Sequence, residues 1–395
     1  MKAFIKGVST LYVVTLVGVL LYSFTQVDLG LTLSKVPLFH AILQKFQYVG
    51  YFTRPISTYL YMGVLIAFFI SYVGLIIVAK KKLISEKLIW ILSFLTVGIL
   101  LFSYNAFSYD LFNYIFDAKI FTHYHLNPYL FKALDFPGDP MLAFMHWTHR
   151  TYPYGPVWLG ITIPLSFLGM NVFVPTMILF KSLMAGSFLG SVYMIRKISK
   201  LLSPKTTVLS MVLFACNPLI IIESLVSSHQ DVVMIFLSFV AVYFLLRRNY
   251  LRACLFLFLS IGIKYATVFL LPIFLVVWFL QWKKKKIDWE WVFTISGVVM
   301  VPAIILATLR ANFQPWYLLF SLPYVLLGKK HMWVYVTAIV MPIAVLLEYV
   351  PYLFLGNWDP PVPMILSGTT LSGIVLTILL SGISYLVIWQ KNVVK

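Results

Sequence analysis

Apolar runs close to twenty residues long recur from one end of the chain to the other. No other feature restricts the fold so tightly. A run of that length crosses the hydrocarbon core of a bilayer as one helix, and in lipid every backbone N–H and C=O has to find its partner inside the structure. The ten-residue alternation of a membrane β-barrel is missing, so the runs are expected to be helices. Charged residues make up only 11% of the chain, too little to cover a water-soluble surface. The expected class is an all-α polytopic membrane protein.

About twelve spans are expected, at residues 7–26, 56–79, 88–107, 172–195, 206–226, 232–246, 250–263, 265–281, 291–309, 316–327, 332–350 and 364–389. The run 155–169 is shorter and suits a re-entrant or interfacial helix. With that choice the basic clusters at 80–82, 196–205, 247–252, 283–286, 329–330 and 391–395 all fall on the side of the N-terminus. The positive-inside rule makes that side cytoplasmic, with both termini inside and a large loop, 108–171, outside. These anchors, facing anionic headgroups, account for the net charge of +18, and no nucleic-acid partner is expected. The first run follows Lys2 and Lys6 but is long and lacks a small-residue cleavage pattern, so it is expected to be a retained helix. Cys216 and Cys254 both lie in apolar runs and imply no disulfide framework. Residues 1–87 and 329–395 are then terminal transmembrane hairpins around a core at 88–328.

The chain has twelve carboxylates, and the stretch SYDLFNYIFDAKIFTHYHLNPY, residues 108–129, holds two of them. On a helix Asp110, Asn113, Tyr114 and Asp117 share one face, while Leu111, Phe112, Ile115 and Phe116 turn away. The pattern reads as an amphipathic helix lying on the outer membrane surface, with Lys119 snorkelling from its apolar side. A merely solvated helix face is the plainer alternative for Asp117, and a weaker one for Asp110 at the membrane boundary, where charge is costly. Partial desolvation there would raise the proton affinity of Asp110. Asn127-Pro128-Tyr129 ends the element, and Tyr152-Pro153-Tyr154-Gly155-Pro156 marks a rigid aromatic return toward lipid. His123/His125 and His146/His149 have metal-like spacings but no cysteine beside them, so a divalent metal is possible but not favoured and no cofactor is expected.

Further polar groups interrupt apolar runs. Glu223, His229 and Asp231 form a second outer turn, where helix capping is the plain alternative. Lys264 stands alone between apolar residues, a functional candidate by default, with an ion pair to Glu223 or Asp231 as the plain alternative. Arg310, Gln314 and Trp316 form another outer group. Lys181, inside its span, is expected to meet an outer-loop carboxylate. Carboxylates with cations suit transfer from a phosphate leaving group: the former take a proton from an acceptor hydroxyl, the latter stabilise the departing phosphate. Nucleotide sugars are not expected outside, so a lipid-carried donor fits. A transporter or flippase for an anionic lipid-linked substrate stays open, with the cations lining a path. A scaffold leaves the carboxylate face unexplained.

The order Asp110, Tyr114, Asp117, Asn127-Pro128-Tyr129, Gly138-Asp139-Pro140, Trp147 and Tyr154-Gly155-Pro156 resembles the GT-C superfamily of integral membrane glycosyltransferases. It is most similar to bacterial polyprenyl-phosphomannose-dependent α-mannosyltransferases. The likeness continues through His229-Gln230-Asp231, Arg247/Arg248, Lys264 and Gln314-Pro315-Trp316-Tyr317, and covers roughly residues 88–327. It implies a GT-C-like fold, a polyprenyl-phosphate sugar donor, a glycan, glycolipid or protein acceptor, inversion at the sugar carbon, and Asp110 as catalytic base. Substrate contacts are then expected from Asp117, Asn127, Tyr129, Tyr152 and Tyr154 in the loop. More are expected from His229, Asp231, Lys264, Arg310, Gln314 and Trp316.

The topology is checked by cysteine labelling in a cysteine-free background. An impermeant reagent is expected to reach Lys132→Cys from outside and to miss Lys284→Cys; the reverse pattern overturns the orientation.

Overall fold

The computed structural model describes the backbone of residues 1–393 and the side chains of residues 1–383. The side chains of the closing basic segment, 391–395, lie outside the described residues. The regular structure of the described residues is helical, their one pairing of β type being an isolated antiparallel bridge between Lys132 and Thr151. Seven helical stretches are long and apolar enough to cross a membrane: Lys2–Gln26, Arg54–Lys80, Phe173–Leu202, Tyr265–Trp282, Trp289–Ala311, Met332–Leu355 and Val362–Ile383. The pair Pro204–Ala215 and Pro218–Val226 makes an eighth, bent by 54° at its break. Asn217 holds that break: its Oδ1 accepts from the N–H groups of Leu219 and Ile220, and its Nδ2 donates to the Tyr72 hydroxyl and the Ala338 carbonyl. Inside lipid a broken helix survives only when its freed backbone groups are re-satisfied in this way.

The remaining apolar runs are shorter or broken. The helix in the 88–107 run is Glu86–Leu100, after which the backbone turns, with Tyr104 N–H donating to Ser23 Oγ and Asn105 bonded to the Ser108 carbonyl. The 316–327 run is not one helix. Pro315 and Pro323 remove backbone donors, and the chain folds as a 3₁₀ turn, Pro315–Phe320, followed by a single helical turn, Leu322–Val325. Asp231–Leu246 and Tyr250–Ile263 pack together as a hairpin. At 1.5 Å per residue they rise about 24 and 21 Å, short of a hydrocarbon core about 30 Å thick. Neither is long enough by itself to cross it.

The Asp110–Thr122 helix does not lie on the surface. Leu111, Phe112, Phe116 and Ile120 are fully buried and Ile115 nearly so, because the helix packs against Pro156–Leu168 and Phe173–Leu202. The loop beyond it folds back over its apolar side, through Phe112 on Phe144 and Phe116 on Phe136. Nor does Lys119 snorkel to a headgroup. Its ammonium pairs with the buried carboxylate of Asp139, which also accepts from the Tyr124 hydroxyl at 2.7 Å and from Met141 N–H at 2.9 Å. Lys181 meets no carboxylate either. Its ammonium donates to the Leu225 carbonyl at 2.7 Å and to Ser103 Oγ and Ser228 Oγ at 3.2 Å. It serves as a buried clamp on the 225–228 turn, because that turn leaves a carbonyl lone pair free where a carboxylate would have to be desolvated.

The Lys119–Asp139 pair gives a measurable expectation. Lys119→Met leaves a buried carboxylate without its cation and should cost about 3 kcal/mol by thermal unfolding in detergent. The double variant Lys119→Met/Asp139→Leu should recover most of that loss. A surface lysine would cost under ~1 kcal/mol.

Candidate active site

The buried polar turn between Ile222 and Asp231 is the centre of the site. After one π-type turn, Ile222–Val226, the chain turns through Ser228 at φ +55°, and Glu223, Ser227, Ser228, His229, Gln230 and Asp231 are all fully buried. Many of their polar atoms lack a hydrogen-bond partner: Glu223 Oε2, both His229 nitrogens, both ends of the Gln230 amide and Asp231 Oδ2. Buried groups are nearly always paired, so orphans concentrated in one turn mark a place built for something other than packing.

Asp110 meets this turn from the N-terminal end of its helix. Its Oδ2 lies 3.5 Å from His229 Nδ1, and His229 Nε2 lies 3.4 Å from Glu223 Oε2. The other oxygen of Glu223 accepts from the Tyr349 hydroxyl at 2.9 Å. The imidazole is stacked on Trp316 at 4.0 Å. It stands between the two carboxylates with one nitrogen toward each, so the trio is a line and not a ring around one point. Among the described residues no three His, Cys, Asp or Glu side chains converge as a metal site would require.

Lys264 closes the site from the opposite side. Its ammonium sits 2.9 Å from Asp231 Oδ1 and over the rings of Phe320 and Tyr317, at 4.9 and 5.7 Å. The alternative of an ion pair with Asp231 is thus present, while Lys264 stays one-fifth exposed beside a fully buried Asp231. The 155 loop packs closely on the helix end just before Lys264. Gly155 N–H donates to the Ile263 carbonyl, and a Cβ on Gly155 would lie 2.1 Å from the Gly262 carbonyl oxygen. A side chain at 155 would collide with that carbonyl, so glycine lets the loop that carries Tyr154 pack on the end of the helix that leads to Lys264.

A train of aromatic rings runs outward from Asp110. The Tyr114 hydroxyl is 3.5 Å from its carboxylate, and Tyr114 meets Tyr154 edge to face at 5.2 Å. Tyr154 packs on Tyr152, and Tyr152 on Tyr129. Tyr152 donates to the Gly155 carbonyl, Tyr129 reaches the Tyr154 carbonyl, and Asn127 Oδ1 accepts from Tyr129 N–H. The structure therefore brings together Asp110, Tyr154, His229, Asp231, Lys264 and Trp316. It sets Asn127, Tyr129 and Tyr152 behind Tyr154, holding its loop. Arg310 ends its helix exposed, within electrostatic reach of Tyr317, and Gln314 opens the 3₁₀ turn that carries Trp316.

Three contributors are absent from the sequence-based site residues. Arg150 lies over Trp147 at 4.3 Å, and its charge acts on both Asp110 and Tyr317. The sequence HWTHRTY contained it, but nothing in spacing distinguished it from a surface arginine. Gln230, between two motif residues, presents an unpartnered amide. Glu223 is the far end of the His229 line.

The two carboxylates of the Asp110–Thr122 helix are pushed in opposite directions. Burial opposes the charge of Asp110, but His229 beside it and the Lys264 and Arg150 cations outweigh burial, holding its carboxyl below the usual range. The expectation of a raised proton affinity fails because these positive partners win over desolvation. Asp117 is buried without such partners, and burial together with the Asp110 charge pushes its carboxyl well up. One helical face thus carries one carboxylate kept ionised and one shifted toward its neutral, hydrogen-donating form.

The family model described as alpha-(1->6)-mannopyranosyltransferase, N-terminal domain, of the MptA_B family matches residues 12–280. The chain belongs to this mannosyltransferase family. Neither the curated proteins nor the solved structures give a match. The mannosyltransferase match spans Asp110, the His229 turn and Lys264, and membership sets aside the transporter alternative.

The split between the carboxylates predicts a pH signature of this mannosyltransferase. A raised folded-state pKa means that wild-type stability falls as pH rises from the unfolded value, about 4, through the folded one. Asp117→Asn removes that loss. Thermal unfolding should show the variant more stable than wild type at about pH 7.5, with the advantage vanishing toward about pH 4.

Proposed function

We propose that this mannosyltransferase takes mannose from a polyprenyl-phosphate carrier and delivers it, with inversion, to a hydroxyl of a glycan or glycolipid. We place the reaction on the extracytoplasmic face of a multi-pass cell-membrane protein with about twelve membrane segments, short and broken ones included. The observation that carries the reading is an ionised Asp110 within the field of Lys264 and Arg150, in one aromatic-lined site. A proton acceptor and phosphate-compatible cations are what an inverting transfer from a phosphate needs on its two sides.

In the proposed step the acceptor hydroxyl gives its proton to Asp110 as its oxygen bonds to C1 of the sugar. The bond from C1 to the phosphate oxygen breaks, and the phosphate leaves with the electron pair. Lys264, with Arg150 and Arg310 nearer the mouth, stabilises the charge that develops there. Asp231 holds Lys264 until the donor arrives; the singly charged phosphodiester of the donor competes for the same ammonium, and competes better as a second charge develops on the leaving phosphate. His229 orients the Asp110 carboxylate and Trp316 fixes the imidazole. Asp117, in its donor form, hydrogen-bonds sugar hydroxyls. Base and leaving-group stabilisation both come from side chains, so the proposal needs no cofactor.

The test uses purified full-length protein with polyprenyl-phosphate mannose and an oligosaccharide acceptor. Asp110→Asn should lower kcat by about 10²–10⁴-fold, the range for a lost general base, while donor binding persists. Near-normal turnover by a folded Asp110→Asn protein removes the base assignment. Lys264→Met should raise donor KM or lower kcat; full rescue by exchanging the charges of Lys264 and Asp231 would make the lysine purely structural.

A further inference from the structure

A second cluster of aromatic and charged groups adjoins Asp110 through its neighbour in the chain. Its first member is Tyr109, the neighbour of the proposed base. Tyr109 stacks on His146 at 3.7 Å and 19°. The Tyr51 side chain reaches Tyr109, and Tyr104, Tyr352 and Asp28 lie within electrostatic reach of it. Tyr352 in turn stacks on Trp358 at 4.6 Å, and Trp358 is 57% exposed.

Two charged groups frame these rings. Asp28 Oδ1 accepts from Gly30 N–H at 2.8 Å, which fixes the carboxylate in a tight turn whose glycine abuts the Ala143 carbonyl. The Arg54 guanidinium lies 5.4 Å over Tyr51 and against Gly356, whose missing Cβ leaves room for it. The cluster is drawn from four separate parts of the chain: residues 28–54, Tyr109 before its helix, the loop at His146, and residues 352–358. Such convergence has to be built by the fold, and packing alone does not require it.

From this juxtaposition we infer that the cluster is the acceptor subsite, taking a chain of pyranose sugars whose terminal hydroxyl points at Asp110. The inference rests on the transfer reaction proposed above and names its second substrate. A pyranose has apolar C–H faces and a polar hydroxyl rim. Half-exposed tyrosine, histidine and tryptophan rings meet the faces, while Asp28, Arg54 and the phenol hydroxyls meet the rim. A lipid tail has no use for such charges. Headgroup-level tyrosine and tryptophan belts are the ordinary source of such residues in membrane proteins, but belt rings face outward singly. Here they face one another and lead to the residue beside the proposed base.

The probe is α-(1→6)-linked mannotetraose, and the variants are Tyr352→Ala and Trp358→Ala in the full chain, with Tyr352→Phe as the ring-preserving control. Acceptor KM should rise roughly tenfold in each alanine variant, the scale of one lost aromatic contact, with donor KM unchanged and Tyr352→Phe close to wild type. An unchanged acceptor KM, or donor and acceptor KM rising together, overturns the assignment. Binding of the tetraose to Asp110→Asn protein, followed by tryptophan fluorescence, needs no turnover. Tetraose binding that Tyr352→Ala, which keeps every tryptophan, weakens about tenfold upholds the subsite even if no polyprenyl-phosphate sugar proves to be a donor. Absence of tetraose binding refutes it whichever donor is used.

Discussion

A charge taken out of water must be held by another group, and this requirement organises the protein around its site. The apolar bundle contains few ionisable side chains, and those near the centre are arranged against partners. Lys181 is held by a carbonyl and two hydroxyls, Lys119 by Asp139, Lys264 by Asp231, and Asp110 by His229. Removing one partner of a buried pair costs far more than the pair contributes, so each tie fixes the relative position of two chain segments. Lys181 joins its long helix to the 225–228 turn, Lys119 joins its helix to the loop at 139, and Lys264 joins the two arms of a hairpin. The reactive geometry is what these ties leave in the middle.

Depth follows from helix length and from breaks. The hairpin that ends at Asp231 and Lys264 is short, the run that carries Trp316 is broken by two prolines, and the helix before His229 is bent at Asn217. Each departure from a regular helix delivers polar side chains into the buried interior of the apolar bundle. There the dielectric is low and electrostatic effects on a developing phosphate charge are large. Irregular backbone at such depth is tolerated where it is enclosed by protein, as the full burial of the 223–231 turn satisfies.

Asp110 and Asp117 show how far local pattern reaches. Their shared helical face follows from a spacing of seven residues, and the helix is present as Asp110–Thr122. Their opposite proton affinities follow from which cations the fold brings near, and that was not legible. The apolar face of the same helix fits lipid by periodicity alone, because periodicity reports which residues avoid water, not what covers them. Lys119 was misread for the same reason: a long cationic stem on an apolar face fits a headgroup or a buried carboxylate equally well. Arg150, Asp28 and Arg54 passed unremarked because each has an ordinary sequence neighbourhood and gains its meaning from segments far away in the chain.

The sequence by itself determined the class, the recurring apolar helices and the order of polar motifs that marks a membrane glycosyltransferase. These depend on hydrophobic length and on residues close together in the chain, where 3.6-residue periodicity and turn chemistry act locally. Tertiary structure alone decided that the 110–122 helix is enclosed, and that His229 stands between Asp110 and Glu223. It decided too that Lys264 reaches Asp231, that Gly155 packs on the Gly262 backbone, and that residues 28–54 and 352–358 gather beside Tyr109. Those contacts join positions tens to hundreds of residues apart. Their energies come from desolvation and pairing, which depend on distance in space and leave no periodic trace along the chain.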